Sequence, residues 1–408
     1  MMKYEIKKIF SKPSSKFAVM LLFIVVCVTC LLAVDVRYMN EDGTEETGYA
    51  AARRLREAQK EWAGILNEEK LKKIIKENTR ISAAPQAMSK NSIENNIAYS
   101  WTQGFYEIRA LLNASYADSF QSYDYYRADS LTAKDAWTFY QNRTALLHAW
   151  LEHEAKGRFS DVEKDYLIRQ YDSLKIPFYY DYMKGWTQLL EYLPAIHMIT
   201  TLILGFLVGS IFSNEFSWKS DAVFFAAKYG RNKAVAAKVK AGVSITTIIY
   251  WAVVLFYSIA VLSYLGTDGA ACPVQADASG WKCFYHIQVW QKYLLSVTGG
   301  YIGCLFLSLL TMLVSATSKS AVLAVLTPFV MIFIPSFLGS IESPVINKIL
   351  GLLPDRLLQV NTALGYFDLY TFGKYVLGAI PILFVLYSML TILLFPIIYQ
   401  TYKKSRLG

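Results

Sequence analysis

The side chains best placed to form ion pairs and to bind a partner are concentrated in one segment, residues 214–242. It contains six cations and two anions, which are Lys219, Lys228, Arg231, Lys233, Lys238 and Lys240, and Glu215 and Asp221. Apolar runs at 193–213 and 243–265 flank it, each long enough to cross a hydrocarbon core of about 30 Å as a helix. Because one lysine or arginine at a bilayer centre costs roughly 2.5–3.5 kcal/mol, the segment must lie outside the membrane. Its excess of cations predicts the cytoplasmic side.

Four apolar side chains in this segment recur at helical spacing. They are Phe216, Val223, Phe224 and Ala227. The pattern predicts a short amphipathic helix on the inner membrane face, and we expect residues 214–229, with Trp218 as a further exposed ring, to bind a cytoplasmic partner. The alternative is a solvated basic loop whose rings rest among lipid headgroups. Glu215 is expected either to pair with a neighbouring cation, such as Lys219 four residues on, or to bind the partner.

Patterns that would support catalysis are missing from the sequence. It has no G-x-x-x-x-G-K-[ST] loop, so we expect this chain not to hydrolyse ATP. His148 and His153 are five residues apart, which does not match the i, i+4 spacing of a helical zinc pair. The prediction is a chain with no catalytic residues and no metal site.

The five cysteines fall into two groups. Cys27, Cys30 and Cys304 lie within apolar runs, where cysteine commonly serves as a small apolar residue. Cys272 and Cys283 lie in a short loop that we place outside the cell, where the environment is oxidising. We therefore predict a disulfide between Cys272 and Cys283.

Long uncharged runs account for a hydrophobic content of 54% and predict six transmembrane helices. These predicted spans are 17–34, 193–213, 243–265, 293–314, 321–339 and 375–399. The segments 1–16, 214–242, 315–320 and 400–408 together carry 15 Lys/Arg and 3 Asp/Glu, whereas 266–292 and 340–374 carry 5 of each. This asymmetry places both termini in the cytoplasm and explains the net charge of +9 without a nucleic-acid partner.

The segments outside the spans differ in character. Residues 1–16 suit a cytoplasmic interfacial helix. The alternative is that 1–16 and 17–34 together form a signal peptide, but the small-residue cleavage site expected after such a peptide is missing. Residues 35–192 are long enough for an extracellular domain, and their patterns are helical, with a break at Asn67. The outer segment 340–374 has apolar pieces too short to span, which predicts re-entrant or interfacial helices before the cytoplasmic tail, 400–408. The dense aromatics of the large domain fit either a core with a membrane-interface belt or a recognition surface.

Two pairs of glycines have the spacing that lets membrane helices approach closely. Gly205 and Gly209 lie in the second predicted span, and Gly299 and Gly303 lie in the fourth. The pattern predicts close helix packing, either within one subunit or between two.

The segment 214–242 resembles the corresponding part of ABC-2 type exporter permeases. In that family a Glu ends the second span, a short coupling helix follows, and an Arg precedes a Lys at the start of the next span; Glu215, Arg231 and Lys238 stand in those places. The outer segment between the fifth and sixth spans is a second point of resemblance. The coupling residues would be Glu215, Phe216, Trp218, Lys219, Phe224, Arg231 and Lys238.

The resemblance implies an all-α, multi-pass plasma-membrane subunit that is not itself an enzyme. A separate cytoplasmic ATPase would bind ATP and Mg, so this chain would need no cofactor. A second permease subunit would complete a homo- or heterodimer in the lipid bilayer, exporting an amphipathic peptide, lipid or drug. The spans contain almost no ionisable residues, which also indicates an energy source outside the chain. The rival interpretation is a membrane receptor or sensor whose extracellular domain binds a ligand.

Overall fold

The computed structural model describes residues 1–338 and 344–404. The chain begins with two helices, α1 (Met2–Phe10) and α2 (Pro13–Ala33). Proline is favoured at the first position of a helix because its missing N–H would have no partner there, and Pro13 accordingly starts α2. The first long helix therefore begins four residues earlier than the predicted span at 17, and the predicted interfacial helix is reduced to α1.

A mainly helical domain, here called the insertion domain, follows α2 and extends to residue 180. Its elements in order are β1 (Arg37–Met39), β2 (Glu45–Thr47), α3 (Gly48–Lys60), β3 (Gly64–Ile65), α4 (Glu68–Ser82), α5 (Pro85–Met88), α6 (Ser92–Thr102), α7 (Tyr106–Ser115), two 3₁₀ turns (Arg127–Ser130 and Asp135–Thr138), α8 (Phe139–Glu152), α9 (Asp161–Asp172) and β4 (Tyr179–Tyr180). The strands pair antiparallel, β1 with β2 and β3 with β4.

Capping side chains set several helix starts in this domain. The Asn67 side chain accepts a hydrogen bond from the Lys70 amide, which confirms the predicted break and starts α4. Ser160 and Glu163 form a complete capping box at the start of α9. Many of the aromatic side chains are core residues, since Phe105, Phe139, Phe178 and Tyr180 are fully buried. Others, such as Tyr123, Tyr126 and Trp137, are exposed.

The remainder of the chain alternates long helices with short connecting elements. The elements are α10 (Lys184–Gly209), α11 (Asn214–Ser217), α12 (Asp221–Ala226), a π-helical turn (Gly230–Ala234), α13 (Val235–Leu265), two 3₁₀ turns (Val274–Ala276 and Ala278–Gly280), α14 (Val289–Ser318), α15 (Ala321–Leu338), α16 (Pro344–Leu350), α17 (Asp355–Leu358), α18 (Val360–Ala363), the hairpin β5 (Leu369–Phe372) with β6 (Tyr375–Gly378), and α19 (Ala379–Lys403).

Within the described residues, five helices are long and apolar enough to cross a membrane, which fits a multi-pass membrane protein. They are α2, α10, α13 with its preceding π-helical turn, α14 and α19. The fifth predicted span, 321–339, overlaps α15, which is a shorter apolar helix with Pro328 and Pro335 inside it. Residue 339 of that span, 340–343 of the predicted outer segment and 405–408 of the tail lie outside the described residues.

Several boundaries differ from the predicted ones because polar and aromatic residues continue the helices beyond their apolar runs. The helix α10 starts at Lys184 rather than 193, and α14 extends from Val289 to Ser318. The predicted sixth span at 375 instead begins with strand β6, so that α19 starts at Ala379.

The helix α14 lies at the centre of the bundle and packs against α10, α13, α15 and α19. The predicted glycine pairs allow close contacts within this chain. A Cβ atom at Gly205 would lie 2.5 Å from Pro328 Cγ, and one at Gly209 would lie 2.9 Å from Val325 Cγ2, both on α15. Gly299 and Gly303 of α14 face α17 and α18 in the same way. His197 of α10 is buried beside them and hydrogen-bonds the Leu358 carbonyl and the Tyr250 hydroxyl, at 3.0 Å each.

Candidate functional site

Glu215, on α11, lies at the centre of a buried group of charged residues. Its side chain is 5% exposed, and its Oε1 accepts hydrogen bonds from Lys8 Nζ at 2.7 Å and from Lys238 Nζ at 2.8 Å. The Tyr402 hydroxyl donates to Oε2 at 3.2 Å. Residues from α1, α11, α13 and α19 therefore meet at one carboxylate.

Lys238 is the most buried charge of this group, with no part of its side chain exposed. Besides Glu215, its ammonium donates to the Ile211 carbonyl at 2.8 Å and to Glu5 Oε2 at 3.2 Å. An ammonium has three donors, so all of them have acceptors here. We call Glu5, Lys8, Glu215, Lys238 and Tyr402 the Glu215 cluster.

The charges of the cluster stabilise one another. Burial by itself would raise the pKa of Glu215, but the attraction and hydrogen bonds of Lys238 and Lys8 outweigh it, so that the pKa lies below its ordinary value. Lys12 extends the network by donating to Ser210 Oγ and Asn214 Oδ1. Burial and the nearby Lys8 lower the pKa of Lys12, while Glu215 acts in the opposite direction. Glu215 is thus ionised at neutral pH.

The aromatic rings next to the cluster pack around Tyr402. Ring centroids of Phe216, Phe224 and Phe225 lie 6.2, 6.0 and 5.3 Å from that of Tyr402. Phe225 is buried, whereas Phe216 and Phe224 are partly buried. The expectation that Phe216 and Phe224 are exposed for a partner is wrong, because the end of α19 covers them.

The predicted single amphipathic helix is interrupted at Lys219, which has a positive φ of 53°. The Lys219 amide donates to the Phe216 carbonyl and the Ser220 amide donates to the Glu215 carbonyl, a Schellman-type ending of α11. The side chain of Lys219 is exposed, and it is not the cation that pairs with Glu215. The turn directs the chain into the separate helix α12.

Two large apolar side chains remain on the outer face of this segment. Trp218 is 56% exposed and Val223 is 76% exposed. The ammonium groups of Lys8 and Lys12 lie 4.7 and 5.7 Å from the Trp218 ring centre, within cation–π range. We call Trp218 and Val223, with the exposed Ala222, Ala226 and Ala227, the α11–α12 surface.

Arg231 lies at the other end of the segment. Its Nη1 donates to the Lys403 carbonyl at 2.7 Å, and its guanidinium lies 4.6 Å from the Phe225 ring centre. Of the predicted coupling residues, Glu215, Phe216, Phe224, Arg231 and Lys238 therefore lie together around the end of α19. Trp218 and Lys219 point outwards.

Three members of the Glu215 cluster were not predicted from the sequence. Glu5 and Lys8 are on α1 and Tyr402 is near the end of α19, far along the chain from Glu215. One signal was available for Glu5, because it is the sole acid among the basic residues of 1–16. Nothing distinguishes Lys8 from its neighbouring lysines or Tyr402 from the other tyrosines.

Cys272 and Cys283 are free thiols in the structure, so the predicted disulfide is absent. Both residues are buried, and their thiols face different groups. Cys283 Sγ lies 3.9 Å from the Tyr285 carbonyl oxygen, whereas Cys272 is directed to the backbone at Asp181. Burial raises the pKa of Cys272 to about 12.

Among residues 1–338 and 344–404, no group of three or more His, Cys, Asp or Glu side chains is placed to hold a metal ion. Comparison of the chain with known protein families, with curated proteins and with solved structures finds no match.

Proposed function

We propose that this chain is the permease subunit of an ABC-2 type exporter with six spans, of which α15 is the fifth in chain order. On this proposal both termini are cytoplasmic and the insertion domain is extracellular. A separate ATPase, carrying ATP and Mg, docks on the α11–α12 surface. A second permease subunit, identical or related, pairs with this one in the cell membrane, and the transported substrate is amphipathic.

The observation that carries this proposal is the Glu215 cluster. It ties the short helix α11 to α1 and α13 through ion pairs and to the end of α19 through the Tyr402 hydroxyl. The next helix, α12, packs against the same Tyr402 ring through Phe224 and Phe225. Breaking a buried pair by removing one member typically costs about 3–5 kcal/mol, so the segment and these helix ends move as one body. A force applied to α11–α12 by a partner would therefore reach the helices that cross the membrane.

The α11–α12 surface supports the docking step. Val223 and Trp218 are exposed, and covering a large apolar side chain contributes roughly 1.5–3 kcal/mol. The surrounding Lys8, Lys12 and Lys219 supply a basic rim, which would favour an acidic patch on the partner.

The experiment is a charge substitution on this surface, Val223→Asp, in the full chain expressed with its native neighbours. We expect the variant to lose a co-purifying ATPase, because a carboxylate would replace the apolar contact and would be repelled by the acidic patch expected on the partner. Val162→Asp, at a residue of the insertion domain that is 43% exposed, is the matched control and should retain the ATPase. Equal recovery of an ATPase with both variants, or of none with the wild type, would contradict the proposal and favour the receptor interpretation.

A further inference from the structure

Arg143, on α8, is a buried cation with no carboxylate partner among the residues that the structure describes. The residue is 4% exposed. Its Nε donates to the Trp281 carbonyl and its Nη2 to the Cys283 carbonyl, both at 2.9 Å. Within the described ranges, 1–338 and 344–404, no carboxylate forms an ion pair with it, whereas the similarly buried Arg109 is paired with Asp129 at 3.0 Å. A buried charge without a counter-charge is costly, and burial accordingly lowers the pKa of Arg143.

The guanidinium is held rigidly and keeps hydrogen-bond donors unused. It lies 3.7 Å from the centre of the Tyr171 ring, so one of its faces is covered. A guanidinium carries five N–H donors, and the two carbonyls accept from Nε and Nη2. Donors therefore remain on Nη1 and Nη2, the edge that binds a carboxylate in bidentate fashion.

Arg143 lines a cavity of about 360 Å³ in the insertion domain, which is within the range of small-molecule sites. Gln141 and Thr144 supply polar groups, and Leu174 and Ile176 supply an apolar wall. Asp172 also lines the cavity, but it is exposed and forms no ion pair with Arg143. We propose that this cavity binds the carboxylate of an amphipathic organic acid, with the carboxylate on Arg143 and the apolar part against Leu174 and Ile176.

The apolar wall argues for an organic acid over an inorganic anion. A chloride or sulfate ion would satisfy the charge of Arg143 but would leave the exposed Ile176 side chain uncovered. This site is independent of the α11–α12 surface, and it stands whether or not an ATPase docks there.

The test compares two probes of nearly the same shape, the anion 4-fluorophenylacetate and the neutral 4-fluorophenylacetamide, by fluorine NMR on the full-length chain in detergent. We expect the acid to bind saturably and about tenfold more tightly than the amide. Arg143→Gln should remove that preference. The proposal would be overturned if the acid and the amide bound with the same affinity, or if binding of the acid did not saturate.

Because Arg143 also anchors the backbone at Trp281 and Cys283, a second pair of variants keeps it intact. Gln141 is exposed and lines the same cavity. We expect Gln141→Glu to weaken and Gln141→Lys to strengthen binding of the acid, each about threefold, while binding of the amide stays constant. If both variants leave the ratio of acid to amide affinity unchanged, the cavity does not recognise the charge and the proposal fails. The assignment to an organic acid would likewise be overturned if chloride or sulfate displaced the bound probe as effectively as the organic acid does.

Discussion

Lys238 and Glu215 depend on each other because neither charge is accessible to bulk water. Lys238 has none of its side chain exposed, and the Glu215 carboxylate accepts its hydrogen bond at 2.8 Å. The interaction of two such charges must offset the loss of their hydration. Removing one of the two leaves the other buried with fewer partners, which is more harmful than removing both.

We predict that Lys238→Met lowers the free energy of unfolding by about 3–5 kcal/mol, because Glu215 loses its most buried counter-charge. Lys240→Met, two residues on and exposed, is the control and should change it by less than about 0.5 kcal/mol. Denaturant unfolding of the purified chain in detergent measures both. Adding Glu215→Met to Lys238→Met should restore part of the lost stability. If the two single losses simply add in the double variant, the two residues are not paired.

A pH dependence follows from the lowered pKa of Glu215. The folded state releases this proton more readily than the unfolded chain, whose ordinary glutamate pKa is about 4.3. The stabilisation by Glu215 is therefore fully present above that value and is lost as the pH falls through the lower pKa of the folded state. We expect the difference in stability between wild type and Glu215→Gln to stay constant from pH 7 to about pH 5 and to shrink below pH 4. If the difference in stability instead grows as the pH falls, the pKa of Glu215 is not lowered in the folded state and the prediction is wrong.

At the scale of elements, the predicted break at Asn67 is confirmed, since the Asn67 side chain caps the start of α4. The helix expected between Phe216 and Ala227 was predicted less well. Apolar spacing from Phe216 to Ala227 suggested one helix, but the turn at Lys219 divides it into α11 and α12. Spacing alone could not reveal that break, because lysine seldom adopts a positive φ and is not a usual helix stop.

Packing of α10 against α15 depends on the missing side chain at Gly205. A Cβ atom there would lie 2.5 Å from Pro328 Cγ, a ring carbon that cannot rotate away. We predict that Gly205→Ala lowers the free energy of unfolding by about 1–3 kcal/mol, the usual cost of overpacking.

The control for this contact is the same substitution in a Pro328→Ala background, where the clashing ring carbon is gone. There Gly205→Ala should cost much less, as measured by thermal unfolding of all four chains in detergent. An equal cost in both backgrounds would mean that Gly205 does not act through Pro328.

At the scale of the whole molecule, the sequence predicted the long apolar helices and the large helical domain between the first two of them. It also identified Glu215, Arg231 and Lys238 as one site. It could not identify Glu5, Lys8 or Tyr402, because contacts between residues more than 180 positions apart leave no local pattern. The unpaired Arg143 was missed for a similar reason, since its burial depends on a loop near residue 282.

The central claim is that the α11–α12 surface receives a cytoplasmic ATPase, and crosslinking from that surface tests it most directly. A photoreactive amino acid in place of Val223, activated in intact cells, should form a covalent adduct with a protein that carries a G-x-x-x-x-G-K-[ST] phosphate-binding loop. The same probe in place of Val162 should not form that adduct. Mass spectrometry of the adduct identifies the crosslinked chain. The predicted result is an adduct with an ATPase when the probe is at Val223 and none when it is at Val162. If the probe at Val223 crosslinks only to lipid, or only to a protein without such a loop, the claim is contradicted.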